Sequence, residues 1–310
     1  MPSVEKYIQA PDGTSIFVSI KGSGQTLVLC DGLGCDGFIW RYLEPMLAEH
    51  FQVIHWHYPG HGFSQMPCDG DKVGVGDLRD ILKTVLDELG VEKAILFGHS
   101  LGVNISLDFA VTYPQRTSAL VLCCGSYADP IATFHDTELS EVVFEGLNFF
   151  AKRYPQVSRS VWRGILGSGL GFHLAKLSEI NGDLLRPADM KPYFEHLAKM
   201  NVELYFHMVA KARGHSTEAQ LSSIVQPTLI VAGENDTFTP CWLSQRMAQH
   251  IQHAQLHVVA QGTHVAPLED HLVVNQSVKT FLQDSGFIKH GASRKTKKNP
   301  IKKKKARKTV

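Results

Sequence analysis

The sequence has no apolar run approaching the ~20 residues that a membrane-spanning helix needs; its longest, such as Ala119–Cys124, are strand-sized. Its first residues also lack the apolar core of a secretory signal. Met1-Pro-Ser-Val-Glu-Lys-Tyr runs almost at once into the polar turn Pro11-Asp12-Gly13-Thr14. Secretion and membrane integration are not expected, and a cytoplasmic location is, with the nucleus open in a eukaryotic source. Cysteine is sparse: Cys30, Cys35, Cys68, Cys123, Cys124 and Cys241 match neither zinc-ligand spacing nor a disulfide framework, and read as reduced thiols. No segment repeats at a period of 20–50 residues, which excludes a solenoid or propeller. Acid is missing from one place only. Residues 289–310 hold 11 of the 31 Lys and Arg and no Asp or Glu, so the other 20 bases face all 30 acids.

What remains is an acidic globular chain with a basic end. At 310 residues, 44% hydrophobic and 20% charged, it can bury a sizeable core. Short apolar runs alternate with Gly-rich turns and amphipathic stretches. Val4–Ala10 and Ser15–Ile20 flank Pro-Asp-Gly as an antiparallel hairpin. Buried strands are expected at Thr26–Cys30, Phe51–His57, Ala94–Phe97, Ala119–Cys124, Thr228–Ala232 and Gln255–Ala260. Helices are expected after the 31–37 loop through Ala48, over Asp77–Leu89, from Ser100 to about Tyr113, over Trp242–His250, and from Glu269 to Gln283. This predicts an α/β fold, a mostly parallel eight-stranded sheet with helices on both faces. Between Asp129 and Gln220 the alternation stops. Aromatics there (Phe144, Phe149, Phe150, Tyr154, Trp162, Tyr193, Phe194, Tyr205, Phe206) suggest a helical subdomain, mostly packing residues, a few of them lining a pocket. The expected division is 1–128 and 221–286 for the core, 129–220 for a helical cap, and 287–310 for a disordered tail.

Gly98-His-Ser-Leu-Gly102 is a G-x-S-x-G motif between an apolar strand and an amphipathic helix. A turn that tight needs glycine two residues either side of Ser100, and it lifts the hydroxyl clear of the backbone. The helix start also places the Leu101 N–H beside a developing anion. A serine hydroxyl needs a base, and a base needs an acid to fix its tautomer. His264 follows the last strand and Asp236 the one before it, so both belong at the strand ends with Ser100.

With these residues in view, roughly residues 4–284 resemble the α/β-hydrolase fold superfamily with a helical cap. The resemblance implies Ser100 as nucleophile, His264 as general base and Asp236 as its orienter, with Glu234 and Asp129 as fallback acids. It implies an oxyanion hole from the Leu33 and Leu101 N–H groups, Asp31-Gly32-Leu33 matching the family's His-Gly-x. Asp31 departs from that pattern, and its carboxylate would oppose an oxyanion if it pointed inward. His57 departs too, standing where relatives carry Asp. His55, His57 and His61 crowd one segment but lack a carboxylate or thiol at ligand spacing, so no metal and no cofactor are expected.

Serine in the elbow argues against the aspartate-dependent dehalogenases and epoxide hydrolases of this fold, and against its cysteine-dependent members. Carbon–carbon hydrolases often carry Trp after the histidine, where this chain has Val265. The leading expectation is hydrolysis of a small apolar acyl or aryl ester, thioester or lactone. Carbon–carbon hydrolysis, acyl transfer and a non-catalytic scaffold are the alternatives. The basic tail reads as a solvated segment, as a loose contact for anionic lipid or nucleic acid, or as a nuclear-localisation signal.

Overall fold

The short apolar runs become eight strands: β1 (Val4–Gln9), β2 (Ser15–Gly22), β3 (Thr26–Cys30), β4 (Gln52–Trp56), β5 (Ala94–His99), β6 (Thr117–Cys123), β7 (Thr228–Gly233) and β8 (Ala254–Val259). They form one sheet in the order β1-β2-β4-β3-β5-β6-β7-β8. β2 runs antiparallel to β1 and β4, and every other pair is parallel. The computed structural model describes residues 3–128, 138–168, 170–175 and 180–289. Asp129 and the basic segment 290–310 lie outside them.

The helices are α1 (Glu44–Leu47), α2 (Val75–Glu88), α3 (Leu101–Thr112), α4 (Glu138–Arg153), α5 (Pro155–Gly167), α6 (Leu170–Ala175), α7 (Pro187–Lys199), α8 (Val202–Arg213), α9 (Cys241–His250), α10 (Ala266–Glu269) and α11 (His271–Asp284). Alternate residues of each strand serve opposite faces of the sheet. Val28, Leu96, Leu120 and Ile230 pack with Leu78, Leu82, Val103, Leu107 and Met247 of α2, α3 and α9. Leu29, Phe97, Val121 and Val231 pack with Leu47, Val274, Val278 and Phe281 of α1 and α11. Among the described residues no helix is long and apolar enough to cross a membrane.

Local chemistry sets the helix ends. Asp77 accepts the Gly74 N–H at the start of α2 (3.0 Å), and Gly90, at φ 65°, ends the turn that follows. One helix differs from expectation. In place of one helix from the 31–37 loop to Ala48, a 3₁₀ turn (Phe38–Trp40) is followed by the four-residue α1, because Pro45 has no N–H to continue an i→i−4 ladder. The last helix, α11, starts within two residues of its expected first residue, after the short α10, and the Asp270 carboxylate caps its Val273 N–H. Phe287 and Ile288, expected in the tail, fold back instead: Ile288 is buried and both N–H groups bond Leu282 O.

Helices α4–α8 lie between β6 and β7. Phe144, Ala151, Val202, Phe206 and Val209 form a small core of their own, while Leu197, Met200, Leu204 and Met208 of the same insert join the main core. The chain leaves β3 for β4 on one side and enters β5 on the other. The loops after β3 and β5 therefore diverge, leaving a crevice at the carboxyl ends of the strands.

Candidate active site

Ser100 follows β5 in a conformation few L-residues adopt, φ 52° and ψ −118°. Its N–H is shared between the Cys123 and Cys124 carbonyls, 3.2 Å from each. Both flanking glycines are required, though not for one reason. A Cβ on Gly98 would meet the Gly102 carbonyl oxygen at 2.4 Å, within the turn itself. A Cβ on Gly102 would meet Cys30 O at 2.0 Å and Asp31 O at 2.8 Å, so this glycine lets α3 start against the end of β3. Gly32 is pressed in turn against Ser100, its missing Cβ lying 3.1 Å from Ser100 Cβ.

Asp236, three residues beyond β7, is buried and fully engaged. Its Oδ1 accepts the Phe238 and Thr239 N–H groups at 2.9 and 2.8 Å, and its Oδ2 accepts the Thr239 hydroxyl at 2.8 Å. Oδ2 also bonds His264 Nδ1 at 3.0 Å. Burial alone would raise this carboxyl, but the His264 charge and these hydrogen bonds hold it below the usual carboxylate range. A carboxylate at Nδ1 fixes the proton there and leaves Nε2 able to accept one. Glu234 faces elsewhere, accepting the Gln261 N–H at 2.9 Å.

His264 is tied to the serine turn by His99, whose Nε2–H donates to His264 O at 2.9 Å with the rings 5.1 Å apart. Burial pushes His99 down to about 4, so the ring is neutral and serves as a strut. Glu269 holds the same loop from behind, accepting the Thr263 N–H (2.6 Å), the Thr263 hydroxyl (2.7 Å) and the Asn181 N–H of the insert (2.8 Å). His99, Thr239 and Glu269 were not singled out by sequence. Thr239 alone had a signal, an Asp-x-x-Thr turn pattern.

The loop after β3 continues from Gly32, which lies against Ser100, to Leu33. Among the described residues its N–H has no acceptor, and the Leu101 N–H, first in α3, has none within its helix. Asp31 does not point at this place. Its Oδ1 accepts from Trp40 Nε1 at 2.7 Å and its Oδ2 from His55 Nε2 at 2.8 Å, while Tyr58 donates to its backbone oxygen at 2.6 Å. His61 braces the same loop, accepting the Gly34 N–H and donating to Pro59 O, both at 3.0 Å. His57 Nδ1 accepts the Phe63 N–H at 3.0 Å. Burial, reinforced by neighbouring histidines, lowers His57 to about 3 and His61 to about 4. The three histidines thus act as loop struts.

The Asp31–His55 pair is a buried ion pair. Burial opposes both charges, yet their mutual attraction and hydrogen bond hold Asp31 below its ordinary 3.8 and His55 above its ordinary 6.5. The Asp31 contribution to stability is present above about pH 3.8 and lost as acid protonates it. The His55 contribution is full below about pH 6.5 and fades as pH climbs through its raised value. Asp31→Asn is therefore expected to cost about 3 kcal/mol between pH 4 and 6.5, and less at pH 9. Urea unfolding of both proteins from pH 5 to 9 measures this; a gap independent of pH would mean that His55 carries no charge.

The Ser100 turn after β5 and the His264–Asp236 pair on the loops after β8 and β7 thus stand at the carboxyl ends of one mostly parallel sheet. The chain belongs to the α/β-hydrolase fold family, whose model matches residues 25–271. It is 27% identical to a 2-hydroxy-6-oxononadienedioate/2-hydroxy-6-oxononatrienedioate hydrolase of Cupriavidus pinatubonensis, over 87% of this chain and 96% of that one. It is 26% identical to a putative carbamate hydrolase, RutD, of Agrobacterium fabrum, over 83% and 92%. In fold it resembles the enol-lactonase of Burkholderia xenovorans (TM-score 0.76, 19% identity, 90% and 100% coverage) and an esterase of Exiguobacterium antarcticum (TM-score 0.72, 21%, 90% and 100%).

Proposed function

We propose that this protein hydrolyses the ester, thioester or lactone of a small apolar acyl or aryl substrate through Ser100, His264 and Asp236. The observation that carries the reading is the buried 3.0 Å contact of His264 Nδ1 with Asp236 Oδ2, on loops that share an edge of the sheet with the Ser100 turn. His264 Nε2 takes the proton as Ser100 Oγ attacks the carbonyl carbon. The Leu33 and Leu101 N–H groups hold the tetrahedral oxyanion. His264 returns the proton to the leaving group, then activates water against the acyl-enzyme.

The helical insert serves as a cap over this crevice. Leu197 and Tyr205 lie against Gly34 of the oxyanion loop, and Leu204 against Gly60. Trp162 packs at a tilt against Tyr205, with ring centroids 5.2 Å apart. These apolar and aromatic walls suit an acyl chain or aryl ring better than a charged substrate. A second reading is hydrolysis of a carbon–carbon bond, favoured by relatives named for 2-hydroxy-6-oxo-dienedioates and disfavoured by Val265 at the position after His264.

A fluorophosphonate probe with peptide mapping, beside a nitrophenyl-ester series of increasing acyl length and a 2-hydroxy-6-oxo-dienoate, tests both readings. The expected result is a single adduct on Ser100 and turnover of esters with an optimum at short or medium length. An adduct with turnover of the dienoate alone transfers the assignment to the second reading. Absence of adduct and of all turnover in folded protein points to a binding or scaffold role.

A further inference from the structure

The loop that carries His264 is hydrogen-bonded at most of its backbone groups. Glu234 accepts the Gln261 N–H at 2.9 Å, and His99 donates to His264 O at 2.9 Å. Gly262 is held between Val259 O (3.1 Å) and the Asn235 N–H (2.8 Å). Two further groups, Gln261 O and the Thr263 N–H, are tied to the helical insert. Asn181 Nδ2 donates to Gln261 O at 3.1 Å. The Asn181 N–H donates to Glu269 Oε1 at 2.8 Å, and Glu269 Oε2 accepts the Thr263 N–H at 2.6 Å.

Asn181 is fixed from its own side as well. Its Oδ1 accepts the Asp183 N–H at 3.1 Å, and its carbonyl accepts the Leu184 and Leu185 N–H groups at 3.1 and 3.0 Å. Ile180 and Leu185, on either side of it, are buried in the same apolar core as Val265, Ala266 and Leu268. This part of the insert is therefore a strut seated against the base loop.

The loop is of a kind that needs holding. Among the described residues three non-glycine residues have φ in the left-handed region: Ser100 (52°), Cys124 (45°) and Gln261 (59°). They are linked, since Cys124 O accepts the Ser100 N–H and the Cys124 thiol donates to Thr263 O at 3.6 Å. Backbone in this region persists only while its surroundings hold it. Glu269 is costly in its own way. It is 7% exposed, no cation pairs with it among the described residues, and burial raises its carboxyl above the ordinary 4.5. What it offers over an amide is two accepting ends. Oε2 takes the Thr263 N–H, while Oε1 takes the Thr263 hydroxyl and the Asn181 N–H.

We propose that Asn181 and Glu269 are positioning residues through which the insert sets the place of His264 relative to Ser100, an assignment that rests on His264 acting as the base. The insert is then part of the catalytic frame as well as a wall of the crevice.

Glu269→Gln, Asn181→Ala and the double variant of the full chain test it, by ester kinetics and by the rate of fluorophosphonate labelling at Ser100. In Glu269→Gln one accepting oxygen remains. Turned to the Thr263 N–H, it sets its NH₂ against the Asn181 N–H; turned to Asn181, it sets NH₂ against the Thr263 N–H. Either way one tie becomes a clash of donors. Both kcat and the labelling rate are expected to fall roughly a hundredfold, with KM changed by about threefold or less. Asn181→Ala cuts only the bond to Gln261 O and should lower both roughly fivefold. The double variant should fall no further than Glu269→Gln, because both substitutions free the same loop. Lower thermal midpoints with kcat and labelling unchanged would make the pair merely structural and overturn the proposal. Losses that multiply, to roughly five-hundredfold in the double variant, would overturn it too. If Glu269→Gln does not fold, Asn181→Ala decides alone, and unchanged kcat in the folded variant overturns the proposal. If wild-type Ser100 takes no label and no ester turns over, the hydrolase reading is what fails. The His264 Nδ1 proton resonance then decides: it should be sharp in wild type and broadened in the variants, and equal sharpness in all overturns the proposal.

Discussion

Ser100→Ala is expected to lower kcat on the best ester by about 10⁴–10⁶, with KM changed only a few-fold and the fluorophosphonate adduct abolished. The substitution removes one oxygen and leaves the rest of the site in place. Ser100 N–H still bonds the Cys123 and Cys124 carbonyls, and Gly32 still packs on its Cβ. The Leu33 and Leu101 N–H groups are untouched, so a residual rate above that of water is expected from oxyanion binding alone. The strained backbone at φ 52° is no easier for alanine, so stability should stay within about 1 kcal/mol of wild type. Steady-state kinetics with an unfolding curve decides it. A loss under tenfold in a folded variant would remove Ser100 from the chemistry.

Asp236→Asn is the second large effect, and its cause can be followed atom by atom. Oδ1 accepts two backbone N–H groups, from Phe238 and Thr239, which no amide nitrogen can do. The new side chain must therefore keep its oxygen on that side and turn its NH₂ toward His264 Nδ1 and the Thr239 hydroxyl. An N–H at Nδ1 forces the imidazole proton onto Nε2, the atom that the proposed mechanism needs free to accept the serine proton. The expected loss is about 10⁴ in kcat with substrate binding nearly intact. Comparing kcat and KM for Asp236→Asn and Asp236→Ala is the measurement. Since Asp236→Ala does not donate to Nδ1, full activity in Asp236→Asn, or a loss seen in KM alone, would show that His264 does not depend on this carboxylate.

Both predictions rest on residues that a linear reading could reach, because their signals are local. The Ser100 turn is readable as two glycines at fixed offsets between a strand and a helix. Asp236 and His264 are readable because each follows a strand within a few residues, and strands are marked by short-range apolar pattern. The eight-stranded sheet was legible for the same reason: runs such as Thr26–Cys30 and Thr228–Gly233 are short, continuously apolar and bounded by turns, and they are buried on both faces. Where local signals compete, apolar spacing alone misleads: Pro45 interrupts a segment that otherwise looks like one continuous helix.

Other features have no local signal. Asp31 stands two residues before Leu33, and nothing near it in sequence says which way its charge points. Trp40 and His55, nine and 24 positions away, turn it outward. His99 becomes a strut only because His264, 165 residues on, brings its carbonyl within 2.9 Å. The aromatics of the insert look alike in sequence, yet Phe144, Phe194 and Phe206 are buried while Phe149, Phe150 and Tyr154 face outward. The sequence by itself determined the sheet, the serine turn and the order Ser-Asp-His, because each depends on neighbours a few residues apart. The direction of the Asp31 carboxylate, the bracing of the His264 loop and the exposed face of α4 and α5 were decided by tertiary structure. Those depend on which distant segments meet, and on the hydrogen-bond partners and packing found only there.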